Sequence, residues 1–226
     1  MTLHYKVANS LVRRHDLAFL SDEGWRTTLR SYPELAREPL VIEWARHGWP
    51  LVCRRPLPEE RGGMALGMPL PPSAGKRRLA IVANRDEIVA IAPPMALRAA
   101  IRAAPRSWWR TMQQIGELAG RYAVDTRVFG SLAWHALTGL EYVTETSDLD
   151  LLFSVSSDTD LRRLTDDLFA IDITAPMRLD GELMRTDGAA VNWREVHSGT
   201  REILVKHADS VALIDASRFL CKRSQP

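Results

Sequence analysis

Two aspartates one residue apart, Asp148 and Asp150, follow a Gly-Ser pair at Gly130 and Ser131 after an interval long enough to hold a helix. Successive side chains of a strand alternate between faces, so Asp148 and Asp150 are expected to point the same way while Leu149 and Leu151 face the core. Two carboxylates aimed at one spot repel. A shared proton or a divalent cation relieves that repulsion, and hard carboxylate oxygens favour Mg2+, with Mn2+ as a substitute. Gly130 lets the backbone turn sharply and approach a ligand closely. Ser131 then opens a helix whose free amide protons and positive dipole end favour a phosphate, to which its hydroxyl adds a hydrogen bond. A cation site beside a phosphate site suits phosphoryl or nucleotidyl transfer, where positioning and charge stabilisation carry most of the catalysis. Each part alone has a plainer explanation, a helix cap for the Gly-Ser and a solvated strand edge for the Asp-x-Asp. The combination of strand, turn, helix and acidic strand is what points to chemistry.

The elements needed to position these residues can be read around them. Residues 127–129 form a strand before the Gly-Ser turn, a helix follows, and residues 148–153 form the acidic strand. A helix over 159–169 and a strand over 171–175 come next, giving α+β patterning. Upstream, residues 95–122 are rich in Ala, Arg, Leu and Gln, and Pro105 separates two helical segments there. The first part of the chain reads as short strands at residues 51–53, 79–82 and 88–91, with Asn84-Arg85-Asp86 as a hairpin turn between the last two. Helices are expected over 23–31 and over Pro39–His47, and the proline-rich stretch 69–75 reads as a loop. Pro93-Pro94 marks the boundary between a small β-rich domain over 1–94 and a second domain over 95–226.

At this point the residues carry a resemblance. Gly130-Ser131 with Ser147-Asp148-Leu149-Asp150 resembles the signature of the polymerase-β-type nucleotidyltransferases, which implies a mixed sheet flanked by helices and Mg2+-dependent attack on an α-phosphate. The blocks Gly130 to Trp134, Leu137 to Tyr142, Asp180-Gly181-Glu182-Leu183 and Val191 to Glu195 are similar to the malonate decarboxylase holo-acyl-carrier-protein synthases. So are Arg14-His15-Asp16-Leu17, Pro50 to Arg55 and Lys76 to Ala80. The resemblance spans most of the chain. It implies a phosphoribosyl-dephospho-CoA transferase, with triphosphoribosyl-dephospho-CoA as donor, a serine of the apo acyl carrier protein as acceptor, and pyrophosphate released. Two other readings stand beside it: a nucleotidyltransferase that uses an ordinary nucleoside triphosphate on an antibiotic or protein, and a non-catalytic module that binds a carrier protein. The superfamily adds a third carboxylate from a later strand, here Asp180 or Glu182. Both face one way if 179–184 is a strand, whereas Asp180-Gly181 also reads as a hairpin turn, which would leave Glu182 as the candidate.

A polyphosphorylated donor calls for cations beyond the metal. Arg54-Arg55 and Lys76-Arg77-Arg78 are the densest basic runs, suited to phosphate or to steering an acidic carrier protein, although such runs are commonly solvated surface. Trp134 and Trp193 offer faces for adenine but are more simply core, and Trp108-Trp109 read as packed helix residues. His135 reads as structural, and His15, beside Arg14 and Asp16, as a possible phosphate contact in the first domain.

Composition narrows the field. Hydrophobic residues at 46% and charged residues at 26% describe a folded globular chain, and a net charge of +2 gives no basis for coating a nucleic acid polymer. The two cysteines, Cys53 and Cys221, are far apart and lack metal-ligand spacing, so both read as free thiols. Residues 1–10 lack the apolar run of a signal peptide, and no apolar stretch reaches the roughly 18 residues of a membrane helix; a cytoplasmic location is the expectation.

Overall fold

The computed structural model describes residues 12–220; the readings of residues 1–10 and of Cys221 lie outside the described residues. The chain divides into two compact units, Met1–Pro94 and Met95–Pro226.

The first unit contains β1 (Leu17–Leu20), α1 (Asp22–Ser31), α2 (Pro39–His47), β2 (Leu51–Cys53), β3 (Met64–Pro69), β4 (Arg78–Ala83) and β5 (Ile88–Ala92). Local signals set the helix ends. Ser21 accepts the Gly24 amide proton to cap α1, while Pro39 opens α2 and the left-handed Gly48 closes it. The five strands form an antiparallel sheet in the order β4-β3-β2-β1-β5, and Trp44, Leu51, Leu66 and Ile81 are fully buried.

That strand order corrects the expected hairpin at Asn84-Arg85-Asp86, because β4 and β5 lie at opposite edges of the sheet. Residues Arg85–Glu87 form a short helical turn held by a reciprocal capping box between Asn84 and Glu87. The chain uses this turn to leave one edge for the other. The stretch 69–75 is only partly loop, since Pro69 ends β3 and Pro72–Ala74 winds into a helical turn.

The second unit runs β6 (Met95–Ala96), α3 (Leu97–Ala100), α4 (Trp109–Arg121), β7 (Asp125–Phe129), α5 (Gly130–Thr138), β8 (Leu149–Val155), α6 (Leu161–Asp172), β9 (Leu179–Arg185), β10 (Ala190–Asn192), α7 (Trp193–His197), β11 (Glu202–Lys206), β12 (Val211–Asp215) and α8 (Ala216–Leu220). Its seven strands lie in the order β12-β11-β10-β9-β8-β7-β6. Every pair is antiparallel except β8 with β9, so the sheet is mixed. The parallel pair requires a crossover, which α6 supplies.

One face of this sheet carries the main core. Leu149, Leu151, Phe153, Leu179, Leu183 and Val191 pack there with Met112 and Ile115 of α4, Leu132 of α5, Leu164 and Leu168 of α6 and Trp193 of α7. Alternation sends Asp150, Leu152, Asp180, Glu182 and Asn192 to the other face, where Leu152, Met184 and Ala190 form a smaller apolar cluster with Phe129. The expected strand over 171–175 is absent. Those residues end α6 and turn, and the β-branched Ile173 that suggested a strand is 67% exposed.

Candidate functional site

The site residues gather at one end of the second sheet. Phe129, the last residue of β7, pairs with Asp150 of β8; Asp150 pairs in parallel register with Asp180 of β9; and Asn192, the last residue of β10, pairs with Glu182 of β9. Register alone brings the Gly-Ser turn and two carboxylates together.

The contact between the turn and Asp150 is very close. Gly130 has φ 67°, and a Cβ built on it would lie 1.9 Å from Asp150 Oδ2 and 2.6 Å from its Cγ. The Asp150 carboxylate therefore stands directly over a bare Cα, and glycine is required both for the left-handed backbone and for the space. Ser131 follows in the first turn of α5 and is half-buried.

Asp148 sits one residue before β8, and Arg178 Nη1 lies 3.7 Å from its Oδ2. Ser147 accepts the Thr144 amide proton through Oγ at 2.9 Å, which closes the turn leading into Asp148. Both are half-buried.

Asp180 and Glu182 have different surroundings. Asp180-Gly181 is not a hairpin turn but part of β9, beside β8. A Cβ on Gly181 would lie 2.3 Å from the Leu151 carbonyl oxygen, so the glycine serves close strand contact. Asp180 adjoins Asp150. Glu182, one pleat further in, is 5% exposed, and its Oε1 lies 2.9 Å from Lys206 Nζ. It is already paired with a cation. Among the described residues, no group of three or more His, Cys, Asp or Glu side chains is arranged to hold a metal ion.

Sequence reasoning missed Asn192. Its Nδ2 donates to Asp180 Oδ1 at 2.9 Å, while its Oδ1 accepts the Arg194 amide proton to cap α7. An Asn before a helix signals a cap, but nothing local signals that β10 sets it beside Asp180. Arg178 went unnoticed for the same reason.

The basic runs belong to the first unit. Arg54 follows β2 beside the start of β3, where its guanidinium forks onto Glu60 and donates to the Leu66 carbonyl at 2.9 Å. The Arg54 hydrogen bond holds the Glu60 carboxyl below its ordinary range. Arg55 is half-buried next to it. Arg78 opens β4 opposite Pro69, at the other end of β3, and the exposed Arg77 pairs with Glu38 at 2.9 Å. Four residues of strand, about 13 Å, separate the runs, so the structure does not bring them together.

The remaining aromatic and thiol groups have structural surroundings. Trp134 and Trp193 are buried, and Arg194 stacks 4.4 Å over the Trp193 ring. Trp108 is buried, whereas Trp109 is 39% exposed and donates to the Ala104 carbonyl, a correction to its reading as packed. His135 Nδ1 lies 2.8 Å from the Leu140 carbonyl oxygen, fastening the end of α5. His15, at φ 72°, donates its amide proton to the Cys53 carbonyl, and its Nε2 lies 3.2 Å from Arg14 Nη2. Burial, with Asp16 nearby, pushes the Cys53 thiol up to about 12.

Residues 13–94 match the family described as the phosphoribosyl-dephospho-CoA transferase MdcG N-terminal domain, and residues 96–217 match its C-terminal domain. The chain belongs to this family. A phosphoribosyl-dephospho-CoA transferase of Bradyrhizobium diazoefficiens is 52% identical over 207 residues, covering 92% of each chain. A protein of the same name from Xanthomonas campestris pv. campestris is 36% identical over 187 residues, 82% of this chain and 88% of its own. Another from Xanthomonas euvesicatoria pv. vesicatoria is 34% identical over 213 residues, 93% of this chain and 98% of its own. No solved structure matches the chain. Among the described residues, no helix is long and apolar enough to cross a membrane.

Proposed function

We propose that this chain transfers phosphoribosyl-dephospho-CoA from triphosphoribosyl-dephospho-CoA to a serine of the apo acyl carrier protein of malonate decarboxylase, on a domain of the polymerase-β nucleotidyltransferase kind. The observation that carries this reading is the seat of Asp150, whose carboxylate stands over the bare Cα of Gly130 at the turn that begins α5. A phosphate drawn to the amide protons of α5 meets that carboxylate, a contact between like charges that a cation makes favourable. Hard carboxylate oxygens suit Mg2+, or Mn2+, and Asp148 and Asp150 would be the residues that hold it beside the donor's phosphates. When bound, the ion supplies charge neutralisation on the phosphates and a lowered pKa for the attacking hydroxyl.

The chain's own residues do the rest. Gly130 and Ser131 grip the donor's phosphates through the first amide protons of α5 and the Ser131 hydroxyl. Ser147 holds the turn that presents Asp148, and Asp180, in register with Asp150, is the third carboxylate facing the reacting phosphate. The carrier serine Oγ forms a bond to the α-phosphorus of the donor as the bond from that phosphorus to its bridging oxygen breaks. The serine proton is released, and pyrophosphate leaves with the bridging oxygen. In the first unit Arg54, Arg55, Arg77 and Arg78 are the candidates for donor phosphates or for an acidic carrier, with Arg54 bound to Glu60 and Arg77 paired with Glu38.

Intact-protein mass spectrometry tests this reading with apo carrier protein, donor and Mg2+. The expected result is a mass gain on the carrier equal to phosphoribosyl-dephospho-CoA, lost with Asp150→Asn. No gain with this donor, but modification of an acceptor when nucleoside triphosphates are supplied, would overturn the substrate and keep the chemistry. No transfer from either donor type would leave a binding module.

A further inference from the structure

We infer that Asn192 is a positioning residue that fixes the orientation of the Asp180 carboxylate, acting as one part of a closed ring of hydrogen bonds among β9, α6 and α7. The inference rests on the proposed role of Asp180 at the reacting phosphate.

Asp180 Oδ1 accepts two bonds, from the Gly181 amide at 2.8 Å and from Asn192 Nδ2 at 2.9 Å. Both fall on one oxygen, so the carboxylate is held by one side and Oδ2 is the oxygen presented to a ligand. A carboxylate on a strand otherwise turns freely about its last torsion, which has no sharp staggered wells. Two donors on one oxygen remove that freedom.

Asn192 is itself held. Its Oδ1 accepts the Arg194 amide proton at 2.9 Å, so both ends of its amide are engaged and its orientation is defined. Arg194 then reaches back to the residue before Asp180: its Nη2 donates to the Leu179 carbonyl at 2.9 Å and to Asp172 Oδ2 at 2.8 Å. Asp172 Oδ1 in turn accepts the Leu179 amide proton at 2.9 Å. The backbone of Leu179 is thus pinned on both its polar groups by side chains of α6 and α7, and the side chain of Asp180 is pinned by Asn192. Asn192 thus holds the Asp180 side chain while Arg194 holds the carbonyl of the residue before it. Such support around a functional group matters because small displacements of a reacting group cost large factors in rate.

A residue that only capped α7 would tolerate Asp at this position, since Asn and Asp are equally good caps and α7 gains a carboxylate at its N-terminus. Asn192→Asp therefore separates the two roles. It keeps the cap oxygen, replaces the donor toward Asp180 with a carboxylate, and sets like charges face to face. We expect Asn192→Asp to melt several degrees below the unsubstituted protein, because two carboxylates now meet, while the cap is kept and transfer falls about tenfold or more, with the loss in kcat rather than in KM for the carrier. In an Asp180→Ala background the same substitution should cost nothing further, because the residue acts through Asp180. Asn192→Ser keeps a cap oxygen without new charge and is too short to reach Asp180. It should show the same loss in kcat, and it serves if Asn192→Asp fails to fold. In the ligand-free protein, the Asn192 side-chain amide resonances should move on Asp180→Ala. Unchanged transfer by both Asn192 variants beside an active parent protein would make Asn192 a cap only and overturn the inference. Absence of transfer by the parent protein would instead sink the proposed function, with the resonance shift still reporting whether the clamp exists. Unmoved resonances would remove the clamp itself.

Discussion

Gly130→Ala tests the seat of Asp150 most directly. Alanine at φ 67° pays for a left-handed backbone with about 1–2 kcal/mol. Its Cβ would stand 1.9 Å from Asp150 Oδ2, so the carboxylate must leave its rotamer, which adds about 0.5–1.5 kcal/mol. The expected loss of stability is therefore about 1.5–3.5 kcal/mol. Asp150→Ala removes the oxygens that collide, and its remaining Cβ is 3.1 Å from the new methyl group. In that background the cost of Gly130→Ala should fall toward the backbone cost alone, a coupling of about 1 kcal/mol. Chemical denaturation of the four proteins measures this cycle. Transfer by Gly130→Ala should drop by about 10²-fold or more, because the displaced group is a reacting one and the amide protons of α5 start from the same turn. Equal stability costs in both backgrounds, or transfer at the normal rate, would refute the reasoning that the bare Cα exists to seat this carboxylate.

Three further outcomes follow from the same geometry. Asp148→Asn, at a half-buried position, should leave the melting temperature nearly unchanged and reduce transfer by about 10²-fold or more, as read by carrier mass gain; a fully active variant would remove Asp148 from the site. Glu182→Gln should do the opposite. It strands Lys206 without its charge partner, so stability should fall by about 1–3 kcal/mol in denaturant titration while kcat stays within about threefold; a collapse of kcat with intact stability would make Glu182 the third carboxylate in place of Asp180. Cys53, with its thiol pushed up to about 12, should resist alkylation at pH 8 in the folded protein and react on unfolding, as followed by peptide mass mapping. Because its ionisation is suppressed only in the folded state, its contribution to stability is complete below pH 9 and declines as pH rises from 9 toward 12.

What the sequence made legible follows the range of the interactions involved. The two helices of the first unit could be placed because apolar residues recur at helical spacing, and the structure shows their ends set by neighbouring residues: Ser21 before α1, Pro39 at the start of α2 and Gly48 after it. Asp150, Gly130 and Ser131 were legible for a similar reason, since a turn, a helix and an alternating strand carry their own spacing. The errors arose where local chemistry has two uses. Asn84 and Glu87 make a reciprocal cap, which resembles a hairpin turn in composition but leads to a strand at the far edge of the sheet. Asp180-Gly181 was ambiguous rather than misread: it fits a turn or a strand, and it lies in β9, where Leu151 of the neighbouring strand leaves no room for a side chain on Gly181.

The same distinction explains how the third carboxylate can be chosen. Alternation along β9 puts Asp180 and Glu182 on one face and cannot rank them. Their ranks come from partners distant in sequence: Asp180 meets Asp150 through the parallel β8–β9 register, while Glu182 meets Lys206 of β11. A buried carboxylate with a lysine at 2.9 Å is already neutralised, and placing a cation there would require the lysine to move. Asp180 has amide donors in its place, which orient a carboxylate without cancelling its charge. A side chain that is oriented but still charged is what a site for a cation and a polyphosphate requires, and that difference in partners favours Asp180.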